Sequence, residues 1–303
     1  MVLILAAHLM GWLSRLSPRI AAELARRLTT LTPRGRRGGL GRVVARHALR
    51  RGEVVVRAVS EPAAPGRGRV LLVHGWNAAS SDWAPVARRL AERGMQVFAA
   101  DMPGHGAARG RTSSLPRFVR ALEAIDRAHG PFDAWVAHSM GANAALTAVA
   151  RGARVRRLVL VAALVRPVRA LRGFAAGFGL TPAATAAYLA SIERDEAMPL
   201  ETVDSERNAA RVAAPTLLIH DRRDKVIPFA DAQALAALLP AGRLLPTDGL
   251  GHTRVLASPD AVDAIAGFAA AGDADYIDAD APAAEAPHAT RMTRTGAEPC
   301  AAA

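Results

Sequence analysis

The chain has almost no lysine: Lys225 is the only one, and the other 38 basic residues are arginine. We read that bias as genome composition before function. Cysteine is nearly missing too. Cys300 stands alone in a polar tail, which excludes an intrachain disulfide and fits a reducing, cytoplasmic compartment. No run approaches the roughly 20 apolar residues that cross a bilayer. The longest candidate, Val2 to Leu13, has no positive charge before it and no small-x-small site after it, so it reads as a poor signal peptide. No internal repeat is visible. The nine histidines show no spacing with carboxylates or cysteine that recommends a metal site, and no cofactor is implied. Gly104-His105-Gly106 lacks the longer glycine spacing and the lysine of a phosphate loop.

The charge needs separate treatment, because a net +12 over 303 residues suggests nucleic acid. Its distribution argues otherwise. Residues 1–51 hold 11 arginines and one glutamate, a net +10, which leaves only +2 for the rest of the chain. Basic character therefore belongs to the N-terminal segment, and no nucleic-acid partner is expected.

With 51% hydrophobic residues the chain can bury a substantial core. Short apolar runs alternate with helical stretches. Strands are expected at 43–50, 53–59, 69–74, 96–100, 133–137, 157–161, 215–220 and 243–245, with helices at 83–93, 115–128, 141–150, 230–239 and 259–271. This alternation implies a mostly parallel sheet flanked by helices, with any active site at the carboxyl ends of the strands.

The stretch Ala137-His138-Ser139-Met140-Gly141 joins an apolar run to an Ala-rich helix. Small residues two places before and after Ser139 are what a strained strand-to-helix turn needs, since larger side chains would collide as strand and helix close up. This is the nucleophile-elbow pattern with Ala in place of the first Gly. Taken alone, it also describes a serine in an ordinary βα turn. A serine hydroxyl needs a base, and the base needs an orienting carboxylate. Asp224 follows the 215–220 strand, and His252 lies in Gly249-Leu250-Gly251-His252-Thr253. Asp221 competes with Asp224 for the acid role.

Four separated motifs stand in register: His74-Gly75-Trp76 after a strand, Asp101-Met102-Pro103-Gly104-His105-Gly106, the Ser139 turn, and the Asp224 and His252 loops. On these the chain resembles the α/β-hydrolase fold family over roughly residues 42–271. The departures are Ala137 for Gly, and Ala107 and Ala108 where a serine often follows the Gly-His-Gly turn. The resemblance implies a Ser139, Asp224, His252 triad. Asp224 is favoured because Asp224-Lys225-Val226-Ile227-Pro228 matches the family's acid loop. It also implies an oxyanion hole from the backbone N–H groups of Trp76 and Met140, and a small helical cap within 163–210, for which plain packing helices are the alternative. The reaction it implies is cleavage of a carboxylic ester through an acyl-enzyme. The alternatives are an acyltransferase, a peptidase or a non-catalytic binding protein on the same fold. His74, His105 and His138 read as structural neighbours of the site.

Outside this domain, residues 1–41 read as a basic amphipathic helix and linker, and 272–303 as a disordered Ala/Asp/Pro-rich tail. Leu9, Leu13, Leu16, Ile20, Leu24, Leu28 and Leu31 form one stripe of the helix, with Arg15, Arg19 and Arg26 to another side. Two expectations follow for residues 1–33. The stripe packs on the hydrolase domain, or it makes peripheral membrane contact.

Overall fold

The structure is a computed structural model that describes residues 2–32, 38–62 and 68–271. The chain opens with helices α1 (Val2–Leu16) and α2 (Pro18–Thr30). One continuous helix over 9–31 was the expectation, and Ser17-Pro18 breaks it. Ser17 is extended at φ −147° and its hydroxyl accepts the Ile20 N–H, while proline takes the first position of α2, where its missing N–H costs nothing.

Strands β1 (Arg42–Ala48) and β2 (Glu53–Ala58) form a hairpin, followed by β3 (Arg69–Val73), helix α3 (Ala84–Glu92), β4 (Gln96–Asp101), α4 (Leu115–His129), β5 (Phe132–His138), α5 (Met140–Ala150) and β6 (Val155–Val161). Helices α6 (Pro167–Gly177), α7 (Pro182–Glu196) and α8 (Ser205–Ala209) then intervene. After them come β7 (Thr216–Asp221), α9 (Phe229–Leu238), β8 (Gly242–Thr247), α10 (Gly251–Arg254) and α11 (Pro259–Ala270). The expected tail at 272–303 and residues 33–37 ahead of β1 lie outside the described residues.

The eight strands form one sheet in the order β1-β2-β4-β3-β5-β6-β7-β8. Pairing is parallel from β4 through β8 and antiparallel only at β1–β2 and β2–β4. Parallel strands bury both faces, so their residues are apolar throughout. Leu71 and Val73 of β3 enter the cluster that contains Phe118, Leu122 and Trp135, whereas Val70 and Leu72 enter the one that contains Trp83, Leu90 and Ile265. Strand β8 extends further than 243–245 and holds Pro246, which an edge strand tolerates because one side of its ladder is unpaired.

Between β6 and β7 the chain is helical, with no strand. Asn143, one turn into α5, pins both ends of this insertion. Its side-chain amide donates to the carbonyls of Leu164 and Val203, both at 2.9 Å, and to Ser205 Oγ at 2.8 Å.

The α1–α2 pair packs on that insertion mainly through small side chains; of the leucine stripe, Leu13 is packed against the core. Ala21, Ala22 and Ala25 are buried against it. The Tyr188 hydroxyl donates to Thr29 Oγ1 at 3.0 Å, the Thr181 N–H to Ser14 Oγ at 3.2 Å, and Arg26 pairs with Asp195 at 3.1 Å. Small side chains let the helices approach closely, and Leu9, Leu16, Ile20, Leu24, Leu28 and Leu31 are left exposed.

Candidate active site

Strand β5 delivers the chain to Ser139 at φ 53°, ψ −119°, a left-handed conformation costly for a residue with a side chain. Neighbours hold it on both sides. The Ser139 N–H donates to the Val161 carbonyl at 2.9 Å, and the Ser139 carbonyl accepts from Leu164 N–H at 3.1 Å. Closeness dictates the flanking residues. A Cβ on Gly141 would lie 2.3 Å from the His74 carbonyl oxygen, and one on Gly75 would lie 2.9 Å from Ser139 Cβ. Position 137 tolerates the methyl of alanine.

Three loops from the carboxyl ends of β5, β7 and β8 bring the sequence-selected residues together. His252 Nε2 lies 3.0 Å from Ser139 Oγ, and its Nδ1 lies 2.7 Å from Asp224 Oδ2. The Asp224 carboxylate is fully buried, while Ser139 is partly exposed. Burial alone would raise the Asp224 pKa. The His252 bond and the N–H groups of Ile227 and Val226 outweigh it and hold the carboxyl below its ordinary range.

Asp221 is engaged elsewhere. Its Oδ2 accepts the Thr247 hydroxyl at 2.8 Å and the Leu250 N–H at 2.9 Å, and its Oδ1 accepts the Arg223 N–H at 2.9 Å. Burial works against its charge, but these donors and the Gly251 N–H bring its pKa down to about 2. It fastens the His252 loop to β7 instead of touching the imidazole.

The His74-Gly75-Trp76 turn runs beside the elbow, so the Trp76 amide sits near the N-terminus of α5, where the Met140 amide is one of the helix's unpaired first-turn donors. His74 locks this turn to the next loop: its Nδ1–H donates to the Gly75 carbonyl at 2.7 Å and its Nε2 accepts the Met102 N–H at 3.0 Å. Complete burial, with the His105 ring nearby, lowers its pKa to about 3. His105 Nε2 accepts the Asn77 N–H at 3.2 Å, and its ring stands edge-on to Trp76 at 5.1 Å.

Two more histidines support the site: His138, expected as a structural neighbour, and His220, which the sequence reading passed over. His138 Nε2 donates to the His252 carbonyl at 2.9 Å, and burial followed by the His252 charge lowers its pKa to about 4. His220 Nε2 donates to the Ile227 carbonyl at 3.0 Å and lies 3.4 Å from Asp224 Oδ2. Each is the histidine at or beside the end of a strand whose loop carries a functional residue, and that placement was the available signal. Among the described residues, no group of three or more His, Cys, Asp or Glu is arranged to hold a metal ion.

Comparison with known proteins gives concordant matches. Residues 64–192 match the family model described as serine aminopeptidase S33, and residues 185–281 match one described as TAP-like protein. A pimeloyl-[acyl-carrier protein] methyl ester esterase of Xanthomonas campestris is 31% identical over 250 residues, spanning 68% of this chain and 97% of that protein. Among solved structures, an esterase from Rhodococcus sp. ECU1013 superposes with a TM-score of 0.55 at 18% identity, over 75% of this chain and 98% of its own. A hydrolase from a Medee basin deep-sea metagenome gives 0.57 at 14% identity, over 74% and 96%. These two likenesses concern the fold alone.

Proposed function

The chain belongs to the α/β-hydrolase fold family and is an ester hydrolase of the serine type; on that premise we propose that Ser139, His252 and Asp224 form its catalytic triad. Ser139 Oγ attacks the acyl carbonyl while His252 Nε2 takes its proton, and Asp224 holds the opposite ring nitrogen and offsets the imidazolium charge. The Met140 and Trp76 amides receive the oxyanion. His252 then gives the proton to the departing alcohol, and water cleaves the acyl-enzyme by the same steps in reverse order.

One observation carries this reading: the unbroken hydrogen-bond line from Asp224 Oδ2 through His252 to Ser139 Oγ, 2.7 and 3.0 Å long. A non-catalytic role would leave no reason to keep that line and a strained serine together. The substrate is a small-molecule carboxylic ester, and the methyl ester named for the Xanthomonas relative is the first to assay. A peptidase is the second reading, favoured by the aminopeptidase description of the family model over 64–192. Acyl transfer would share the acyl-enzyme and differ only in the acceptor.

A fluorophosphonate should label Ser139, and Ser139→Ala should abolish both label and turnover. Labelling at another serine would remove Ser139 from the mechanism. A series of esters of increasing acyl length, run beside an N-terminal amide substrate, separates esterase from peptidase. Separately from that chemistry, we propose that the domain works in the cytoplasm with residues 1–33 in peripheral contact with membrane.

A further inference from the structure

Leu9, Trp12 and Leu16 on α1 and Ile20, Leu24 and Leu28 on α2 are 40–76% exposed. They lie on the side of the pair opposite the buried alanines, at helical spacings of three and four. Scattered apolar residues on a surface need no explanation, but a contiguous face of this size does. The exposed cations at its borders indicate the occupant. Arg15 and Arg19 bracket the junction of the two helices, and Arg27 lies at the border on α2. The one acid of the pair, Glu23, is already bonded to Arg26 and Arg27 at 2.7–2.8 Å. A second copy of the same face would set these guanidinium groups against their own kind. An anionic bilayer matches them, with phosphates at the arginines, acyl chains at the leucines and the headgroup boundary at Trp12. No helix among the described residues is long and apolar enough to cross a membrane, so the contact is superficial.

The attachment of the pair sets its orientation. The Thr32 N–H donates to the Arg111 carbonyl at 2.9 Å, and Ser113 N–H to the Thr30 carbonyl at 2.8 Å, in the loop that follows β4. Asp195, which holds Arg26, also holds Arg51 of the β1–β2 turn at 2.8 Å. All these points lie at the carboxyl ends of the parallel strands, the end that carries Ser139. We propose that the α1–α2 face docks on an anionic lipid bilayer and holds the active-site end of the domain against it. This deepens the peripheral contact assigned above to residues 1–33, and it is independent of the ester chemistry.

The test uses the full chain with vesicles of phosphatidylglycerol and phosphatidylcholine, and with phosphatidylcholine alone. The protein should sediment with the anionic vesicles only. Brominated acyl chains should quench part of its tryptophan emission, and Trp12→Phe should remove that quenching. Leu16→Ser with Ile20→Ser should weaken binding at least about tenfold, since two apolar groups no longer leave water. Arg15→Gln with Arg19→Gln should weaken it roughly 30-fold, about fivefold per guanidinium. Both pairs should keep the parental melting temperature, because the altered side chains are exposed. Sedimentation that survives Leu16→Ser/Ile20→Ser overturns this face and leaves a membrane contact elsewhere in residues 1–33. No sedimentation at all overturns both ideas. A lipid-free dimer that shields Trp12 places a second copy on the face and overturns the proposal. Fluorophosphonate labelling of Ser139 in the same samples reports the hydrolase separately.

Discussion

Asp224→Asn and Asp221→Asn should fail in opposite ways, and the hydrogen bonds say why. Asp224 Oδ1 accepts the N–H groups of Val226 at 2.7 Å and Ile227 at 3.0 Å. Only an oxygen can stand there, so an asparagine must place its carbonyl on that side and turn its NH2 toward His252 Nδ1. That nitrogen then has to accept, the ring proton moves to Nε2, and the base meets Ser139 Oγ with a hydrogen where its lone pair should be. A wrong tautomer of this kind costs about 10⁴-fold in kcat, or about 5 kcal/mol of barrier. The two backbone bonds survive, so the protein stays folded. At Asp221 both oxygens accept. Whichever way the amide turns, a backbone N–H, that of Arg223 or Leu250, faces NH2. That should cost roughly 1–3 kcal/mol of stability and less than tenfold in kcat, since the residue touches the base loop and not the base. The stability gap also has a pH signature. With its pKa lowered from 3.8 to about 2, Asp221 contributes in full above pH 3.8 and loses its contribution as pH falls toward 2, so parent and Asp221→Asn should converge across that window. Steady-state kinetics on a soluble ester and thermal melts measured from pH 7 down to 2.5 read both effects. A 10⁴-fold loss in Asp221→Asn with near-parental turnover in Asp224→Asn would refute the assignment of the acid.

Further outcomes follow from contacts already described. Gly141→Ala drives a methyl against the His74 carbonyl, 2.3 Å away, and should cost about 3 kcal/mol and lower kcat by shifting the Trp76 turn; Ala137→Gly should cost about 1 kcal/mol through strand entropy and leave kcat alone. Chemical denaturation melts would sink this account if the two variants were equally stable. His74 and His138 stay neutral in the folded protein down to about pH 3 and 4 but take protons at an ordinary 6.5 once unfolded. Stability is therefore complete above pH 6.5 and should fall by roughly 2 kcal/mol per pH unit between pH 6 and 5. A urea midpoint that stayed level from pH 7 to 5 would contradict their buried neutral state.

The strand–helix alternation and the order Ser139, Asp224, His252 could be read along the chain because each depends on local pattern: apolar runs that end in a small-residue turn or a polar loop. What escaped depends on neighbours far apart in sequence. His138 meets the His252 carbonyl across 114 residues, and only the parallel register of β5 beside β6 and β7 creates that meeting. Asp221 and Asp224 differ by three positions, and which one reaches the imidazole is decided by how the loop turns back through Val226 and Ile227. Periodicity ran unbroken through Ser17-Pro18, although a serine before a proline is a helix-start signal in its own right. The leucine stripe was visible, but its direction was not. Alanines on the other face let the helices approach more closely than leucines would, and that decided which face was buried.

The helical insertion between β6 and β7 is not one mechanical body. At the end of α7, the buried Glu196 is held by Arg117 and Arg120 of α4, and Asp195 beside it by Arg26, Arg51 and Arg117. Moving that helix would strip two carboxylates of their partners together, so α7 behaves as part of the foundation. Helix α6 fully buries only Pro167 and Ala175 of its eleven residues; Val168, Leu171 and Phe174 pack half-buried against the core, and Arg166 and Arg169 grip Asp231 at its start. Helix α6, with few fully buried side chains and no buried carboxylate of its own to strip, is therefore the part of the insertion that yields first.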